Sequence, residues 1–235
     1  VTGLGYEPTG AILDGERAVQ VAQEDGLRAL LEAATLCNDA QLQAPQGAEL
    51  HWKPIGDPTE VSLLTMAMKG GIVPGDLRSR YPRRAEIPFD SGSKMMATQH
   101  QTATGMRVFI KGAPEAVLEL CRAARQNGAD TPLDEPSRHA MRLAAERMAC
   151  EALRVLAIAV VEGAEIDARA GFEGLRGRGV LLGLVGQIDP PRAEVKDAVA
   201  RCRDAGVKPV MVTGDHKSTG HAIAKDLGIA KVGDG

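Results

Sequence analysis

The hydropathy pattern changes character partway along the 235 residues, and that change constrains the fold more than any other feature. From Val1 to about Val161, helical periods mix with short extended pieces in no regular order. From Val180 onward, strand and helix alternate strictly. Two compact units fit this pattern better than one, and the length allows it, since domains commonly run to about 100–200 residues. The predicted fold is mixed α/β (α+β): an antiparallel sheet flanked by helices over residues 1–162, then a partial Rossmann-like βαβα segment over residues 163–235.

Local signals fill in the first unit. Gly3, Gly5, Gly10 and the Asp14-Gly15 pair punctuate short extended pieces, as expected of strands joined by tight turns. Leu27, Leu30, Leu31, Ala34 and Cys37 recur at helical spacing and predict a helix that ends near Asn38-Asp39. A second helix is predicted through Val61, Leu64 and Met68. Asp57 and Pro58 open it, Glu60 stands three residues after Asp57, and Gly70-Gly71 close it. Arg84 to Phe89, Lys94 to Gln99 and Met106 to Lys111 are short, bounded by Gly, Pro or Ser, and predict neighbouring antiparallel strands. Pro114 to Arg125 and Pro136 to Cys150 predict helices, and Arg154 to Val161 a nearly continuous apolar strand. In the second unit, Val180 to Gln187, Pro190 to Ala205, Val207 to Thr213 and Thr219 to Leu227 spell strand, helix, strand, helix. Asp189 is placed to cap the first of these helices, with Val195, Val199 and Cys202 on its inner face and Gly206 at its end.

Composition removes several functions. The net charge is -3 and aromatic residues make up 3%, so there is neither a basic field for a polyanion nor the aromatic interleaving that stacks bases. No nucleic-acid partner is expected. The longest apolar stretches, Leu153 to Val161 and Val180 to Ile188, fall well short of the roughly 20 residues that span a bilayer. The expectation is a soluble fragment with no direct membrane insertion and no secretory signal. Cys37, Cys121, Cys150 and Cys202 are scattered, without a Cys-x-x-Cys pair, and read as reduced core residues in a cytosolic setting. His216 and His221 lack metal-ligand spacing, so no metal site is expected.

Five short segments could carry chemistry, each with a plainer reading beside it. In Lys111-Gly112-Ala113-Pro114-Glu115, a lysine ends a strand, Gly112 permits close backbone approach and Pro114 starts a helix, a corner able to hold a phosphate or purine. The plainer reading makes Lys111 a solvated surface residue. In Phe89-Asp90-Ser91-Gly92-Ser93-Lys94, one of three phenylalanines stands between two strands, either to stack a purine or to join the core. In Asp57-Pro58-Thr59-Glu60, Glu60 either contacts a ligand or reaches back to cap its own helix. Arg154-Val155-Leu156 offers a phosphate contact or merely a charged strand end. Thr213-Gly214-Asp215, with Asp189-Pro190-Pro191-Arg192 at the preceding strand end, lies where open α/β sheets place ligands, although capping and turn formation would also explain these residues.

Taken in order, Cys37-Asn38-Asp39, Gly56 to Glu60, Phe89 with Lys94, Lys111 to Glu115, Arg154 to Leu156, Asp189 to Arg192 and Thr213 to Asp215 resemble the P-type cation-transporting ATPases. Seven motifs in sequence, spanning nearly the whole chain, make the resemblance specific. It implies a nucleotide-binding (N) domain over residues 1–162 and a truncated phosphorylation (P) domain of haloacid-dehalogenase (HAD) type over residues 163–235. It implies ATP as ligand, with Glu60 on the adenine side, Phe89 stacking the adenine, and Lys94, Lys111 and Gly112 in the purine pocket. Arg154 would meet the phosphates and Leu156 line the site, with Thr59 and Asp90 assisting. Asp189 and Arg192 would sit at the hinge and Thr213, Gly214 and Asp215 near the transferred phosphate. Ser91 stands where some calcium pumps carry arginine, which implies weaker nucleotide binding.

The resemblance also implies what is missing from these residues. No Asp-Lys-Thr-Gly-Thr carrying the phosphorylated aspartate occurs, and no Gly-Asp-Gly-Val-Asn-Asp that holds Mg2+. The chain alone is therefore expected to bind nucleotide without turnover. Its expected partners are the actuator, phosphorylation and transmembrane domains of a parent pump, on the cytoplasmic face of a membrane. The opening Val1 to Pro8 and His216 lean toward calcium as the transported ion, with sodium, proton and magnesium open. A non-catalytic nucleotide-sensing module and a fragment of a HAD-class phosphatase are the alternatives.

Overall fold

A computed structural model describes residues 1–3, 5–47, 51–126, 128–151, 153–167, 169–188, 193–212, 223–225 and 227–230. The chain divides into two units, Val1–Ala140 with Leu156–Val185, and Met141–Val155 with Gly186–Gly235.

The first unit opens with a two-residue hairpin, β1 (Leu13–Asp14) against β2 (Arg17–Ala18), whose turn uses Gly15 in the left-handed region at φ 58°. Helix α1 (Asp25–Leu36) follows, burying Leu31 and Ala34 of the predicted face together with Ala33 and Leu36, while Leu27 and Leu30 are half-buried. A short ladder, β3 (Gln41–Gln43) with β4 (Lys53–Ile55), leads to α2 (Pro58–Lys69). Asp57 caps α2, its Oδ1 accepting the Thr59 amide at 2.9 Å and the Glu60 amide at 3.3 Å. The seven-residue α3 (Pro74–Arg80) carries no periodic signal long enough to read from sequence.

The main sheet has the order β5-β6-β7-β10-β11-β8-β9. Strands β5 (Arg83–Asp90), β6 (Met95–Thr102), β7 (Gly105–Gly112) and β10 (Arg154–Glu162) match the predicted extended segments and pair antiparallel. Helix α4 (Pro114–Leu120) is shorter than predicted, because Cys121–Gln126 forms strand β8 where the sequence reading continues the helix to Arg125. Ala and Arg favour helix there, but β8 pairs on one side with β9 (Ala129–Pro132) and on the other, in parallel, with β11 (Gly179–Gln187), which buries Ala123 and Ala124. Strand β11, read as the start of a separate βαβα run, thus lies within this sheet beside β10. One core cluster joins Ala33, Ala34, Leu36 and Cys37 with Leu63 of α2, Met96, Phe109, Ile158 and Val180, so α1 and α2 cover one face of the sheet.

The second unit carries most of α5 (Glu135–Cys150) and α6 (Ala193–Asp204), near the predicted bounds. Val199 is buried on α6 but Cys202 is exposed, which corrects its place on the inner face. Cys150 is exposed as well, so only Cys37 and Cys121 are core thiols. Burial pushes the Cys121 thiol up to about 12 and raises Cys37 too, leaving both inert as nucleophiles. Residues 207–212 form no strand, contrary to expectation. A strand is held by a ladder and by burial, and Val207, Val210 and Val212 have neither, all three being exposed. Among the described residues no helix is long and apolar enough to cross a membrane.

Candidate functional site

Lys111 is the residue on which the site turns. It lies one position from the end of β7, opposite Met96 of β6 and Ile158 of β10, on the face that α1 and α2 cover. Its residue exposure is 7%, so the reading of a solvated surface lysine is wrong. Burying an ammonium is costly unless it is paired and hydrogen-bonded. Lys111 Nζ meets both conditions, donating to Glu60 Oε1 and, at 2.7 Å, to the Cys37 carbonyl.

Glu60 is equally committed. Its Oε2 accepts the Asp39 amide at 3.0 Å, and its own backbone carbonyl accepts from Asn38 Nδ2 at 2.9 Å. The predicted reach back to its helix cap is therefore absent, and Asp57 caps α2 without it. The carboxylate instead faces the end of α1, and Asn38 closes the turn there by accepting the Ala40 amide at 2.9 Å. Cys37-Asn38-Asp39 supplies an acceptor and a donor of the buried pair from backbone groups alone.

The strand ends gather the remaining candidates. Asp90 at the end of β5 pairs with Met95 at the start of β6, which pairs in turn with Gly112 at the end of β7. The four-residue loop Ser91 to Lys94 is held by Asp90, whose Oδ2 accepts the Ser93 amide at 2.8 Å and whose carbonyl accepts the Lys94 amide at 2.7 Å. The Ser93 amide bond holds the fully exposed Asp90 carboxyl below its ordinary value. Lys94 takes a left-handed backbone at φ 56°, uncommon for a residue with a Cβ. Its ammonium lies 3.3 Å from Glu115 Oε1, at the first turn of α4. Phe89 is 63% exposed, so it is not a core residue.

Gly112 permits a close approach, but to protein. A Cβ there would stand 2.4 Å from the Lys94 carbonyl oxygen and 2.9 Å from Met95 Cα, and the Ala113 amide donates to that same carbonyl at 3.0 Å. Leu156 is half-buried against the core that holds Met96 and Ile158. Thr59 lies in the first turn of α2. Arg154 opens β10, is exposed, and belongs to the second unit. Asp189, Arg192, Thr213, Gly214 and Asp215 lie outside the described residues.

A cavity of about 250 Å³ lies beside the Asn38-Asp39 turn, and none of the residues read as ligand contacts lines it. Its walls include Asn38, Asp39, Arg78, Arg83 and His100. Arg83 Nη1 pairs with Asp39 at 2.6 Å and with Glu86 at 2.6 Å. Burial opposes the Arg83 charge, but these two carboxylates lift it above the ordinary arginine value. Arg78 is drawn below it, by burial and then by the Arg83 cation. His100 Nδ1 donates to the Tyr81 carbonyl at 2.8 Å, and burial lowers the pKa of the ring. Sequence reading missed both arginines. One stands on a helix too short to show a period and the other at a strand's first residue, where a charge is unremarkable.

Residues 26–194 match the family model described as the cytoplasmic N domain of P-type ATPases. The calcium-transporting ATPase 1 of Bacillus cereus is 40% identical over 209 residues, 88% of this chain and 22% of that protein. The cation-transporting ATPase pma1 of Synechocystis is 41% identical over 245 aligned positions, 100% of this chain and 26% of that protein. The calcium-transporting ATPase of Bacillus subtilis is 36% identical over 230 residues, 97% of this chain and 25% of that protein. The chain spans about a quarter of the length of these curated relatives.

Proposed function

This chain belongs to the P-type cation-transporting ATPases, and on that premise we propose that its first unit binds ATP and presents it to an aspartate of the same pump. The observation that carries the reading is the buried Lys111–Glu60 pair, held by the Cys37 carbonyl and the Asp39 amide at the sheet end where Phe89, Lys94 and Gly112 also stand. A structural ion pair needs no exposed aromatic nearby. A purine does: Phe89 offers a face for the ring, Glu60 an acceptor for an exocyclic amine, and Lys111 and Lys94 donors to ring nitrogens or phosphate.

In this proposal Thr59 and Asp90 assist at the pocket margin, Leu156 lines it and Arg154 meets the phosphates. Of residues 163–235, those beyond β11 contribute part of a HAD-type phosphorylation domain, in which Asp189 and Arg192 serve the hinge and Thr213, Gly214 and Asp215 the transferred phosphate. Mg2+ travels with the nucleotide. Among the described residues no group of three or more His, Cys, Asp or Glu could hold a metal, so none of them is assigned to it. The parent pump couples transfer of the γ-phosphoryl group to cation movement across a membrane, with this region on the cytoplasmic side. Calcium is the first ion to test, from the names of two of the relatives.

Titration of ATP into the purified chain tests the reading. Expected dissociation constants are on the order of 0.1–1 mM, as one stacked ring and a few charges supply about 4–5 kcal/mol. Phe89→Ala and Lys94→Ala, both at exposed positions, should weaken binding without unfolding the protein. No saturable binding at millimolar ATP, or equal affinity in both variants, overturns the assignment.

A further inference from the structure

Besides Lys111, one peptide unit holds the Glu60 carboxylate, and the other end of that unit is held by two arginines. The Asn38 carbonyl accepts from Arg78 Nη2 at 3.0 Å and from Arg83 Nη2 at 2.9 Å. The amide on the far side of the same peptide bond, that of Asp39, donates to Glu60 Oε2 at 3.0 Å. There is no cis peptide among the described residues, so this carbonyl and this N–H point to opposite sides of one rigid plane. We propose that Arg78 and Arg83 are positioning residues for Glu60, acting through the Asn38–Asp39 peptide.

Two physical effects support the link. Fixing the carbonyl fixes the plane, so the N–H cannot swing away from the carboxylate without breaking two charge-assisted hydrogen bonds. Two cations at the carbonyl oxygen also polarise the amide, which strengthens its N–H as a donor, as chained hydrogen bonds do. The bracket is otherwise complete: Arg78 Nη2 also reaches the Ala40 carbonyl at 3.1 Å, and Arg83 Nη1 holds the Asp39 carboxylate at 2.6 Å. Arg78, unlike Arg83, has no carboxylate within ion-pair distance among the described residues, so its guanidinium is spent on these backbone carbonyls. With the peptide released, Glu60 would keep only Lys111. Both arginines also line the cavity beside the turn, whose walls do not include Glu60.

The inference rests on the nucleotide reading of Glu60 for one of its two readouts only. The first readout is the Asp39 amide itself, followed by proton chemical shift and hydrogen exchange in the 15N-labelled chain without nucleotide. Arg78→Met keeps the aliphatic stem and removes the donors. It should move the Asp39 amide in the same direction as Glu60→Gln does and speed its exchange, while Arg78→Lys, whose ammonium can still serve both carbonyls, should restore much of the wild-type signal. The second readout is ATP affinity in a double-mutant cycle. Arg78→Met alone should weaken binding roughly threefold to tenfold, the range expected for loss of one ordinary hydrogen bond, since the Asp39–Glu60 bond is loosened and the charge on Glu60 is kept. In the Glu60→Gln background it should change affinity less than about twofold, whereas a merely structural arginine gives equal effects in both backgrounds. An Asp39 amide unmoved in folded Arg78→Met, or an additive cycle, overturns the proposal. If Arg78→Met does not fold, the Asp39 amide in Glu60→Gln decides, and an unmoved signal there overturns it. Absence of ATP binding by the wild-type chain sinks the nucleotide reading and leaves the amide readout to judge the clamp.

Discussion

The two sides of the candidate site are built on opposite terms. On one side the Lys111 and Glu60 side chains are 9% and 14% exposed, and each is held by the other and by a backbone group. On the other, Phe89 near the end of β5 is 63% exposed and the side chain of Lys94, in the loop that follows, is 61% exposed, with only an exposed Glu115 carboxylate beside its ammonium. The first side is part of the fold, so its geometry is set before any ligand arrives. The second is carried by the fold without contributing much to it. A residue of the first kind cannot be changed for binding alone, and one of the second kind can.

The contrast breaks most sharply at Lys111. Lys111→Met leaves the Glu60 carboxylate buried without its cation, which costs about 3–5 kcal/mol when one partner of such a pair is removed. A lowered urea midpoint measures it. The double variant Lys111→Met with Glu60→Leu should be less destabilised than Lys111→Met alone, because no uncompensated charge remains. A near-native midpoint for the single variant would place both sides of the site on the same footing.

Gly112→Ala probes the joint between the sides. Its new Cβ would meet the Lys94 carbonyl and Met95 Cα, backbone that cannot yield as a flexible side chain can. A cost of about 1–3 kcal/mol follows from such overpacking, read again as a shift in midpoint. Asp57→Ala should cost about 1 kcal/mol, since it removes the cap of α2, its bond to the Glu60 amide included, but touches neither the Glu60 carboxylate nor the Lys111 ammonium. Helix α2 keeps Leu63 and Leu64 buried, so the helix survives and Glu60 with it. If Asp57→Ala proved as damaging as Lys111→Met, then the helix start and not the ion pair would be what holds this side.

The same division explains what could be read from the sequence. Helices α1, α2 and α5 and strands β5, β6, β7 and β10 announce themselves because their apolar spacing or their bounding Gly, Pro and Ser residues are local signals. Strand β8 does not, since Cys121 to Gln126 is rich in helix-favouring residues and becomes extended only by pairing with β9 and β11. Lys111, Glu60 and Phe89 could be singled out by type and neighbours, but their surroundings could not. Lys111 is buried by α1 and α2, elements 42 or more positions away, and nothing beside Phe89 in the chain says that it remains in solvent. Arg78 and Arg83 were invisible for a related reason, as their partner is a backbone carbonyl around 40 residues upstream.

Phe89 gives the smallest effect on stability and the clearest test of the contrast. Its ring is mostly in solvent, so Phe89→Ala removes little buried area and should change the midpoint by no more than about 0.5 kcal/mol. If the ring stacks a purine, the same substitution should weaken ATP binding by about 1–3 kcal/mol, the value seen for base–aromatic stacking. The two measurements on one variant must then disagree, affinity falling while stability stays, which Lys111→Met cannot show because its affinity change is mixed with unfolding. Phe89→Trp should retain binding, since a larger aromatic face serves an adenine at least as well. Loss of stability in Phe89→Ala would mean that the ring packs against the protein in solution, and unchanged affinity would mean that the exposed ring has some other use. Either result would remove the distinction between a side that is prebuilt and a side that waits for its ligand.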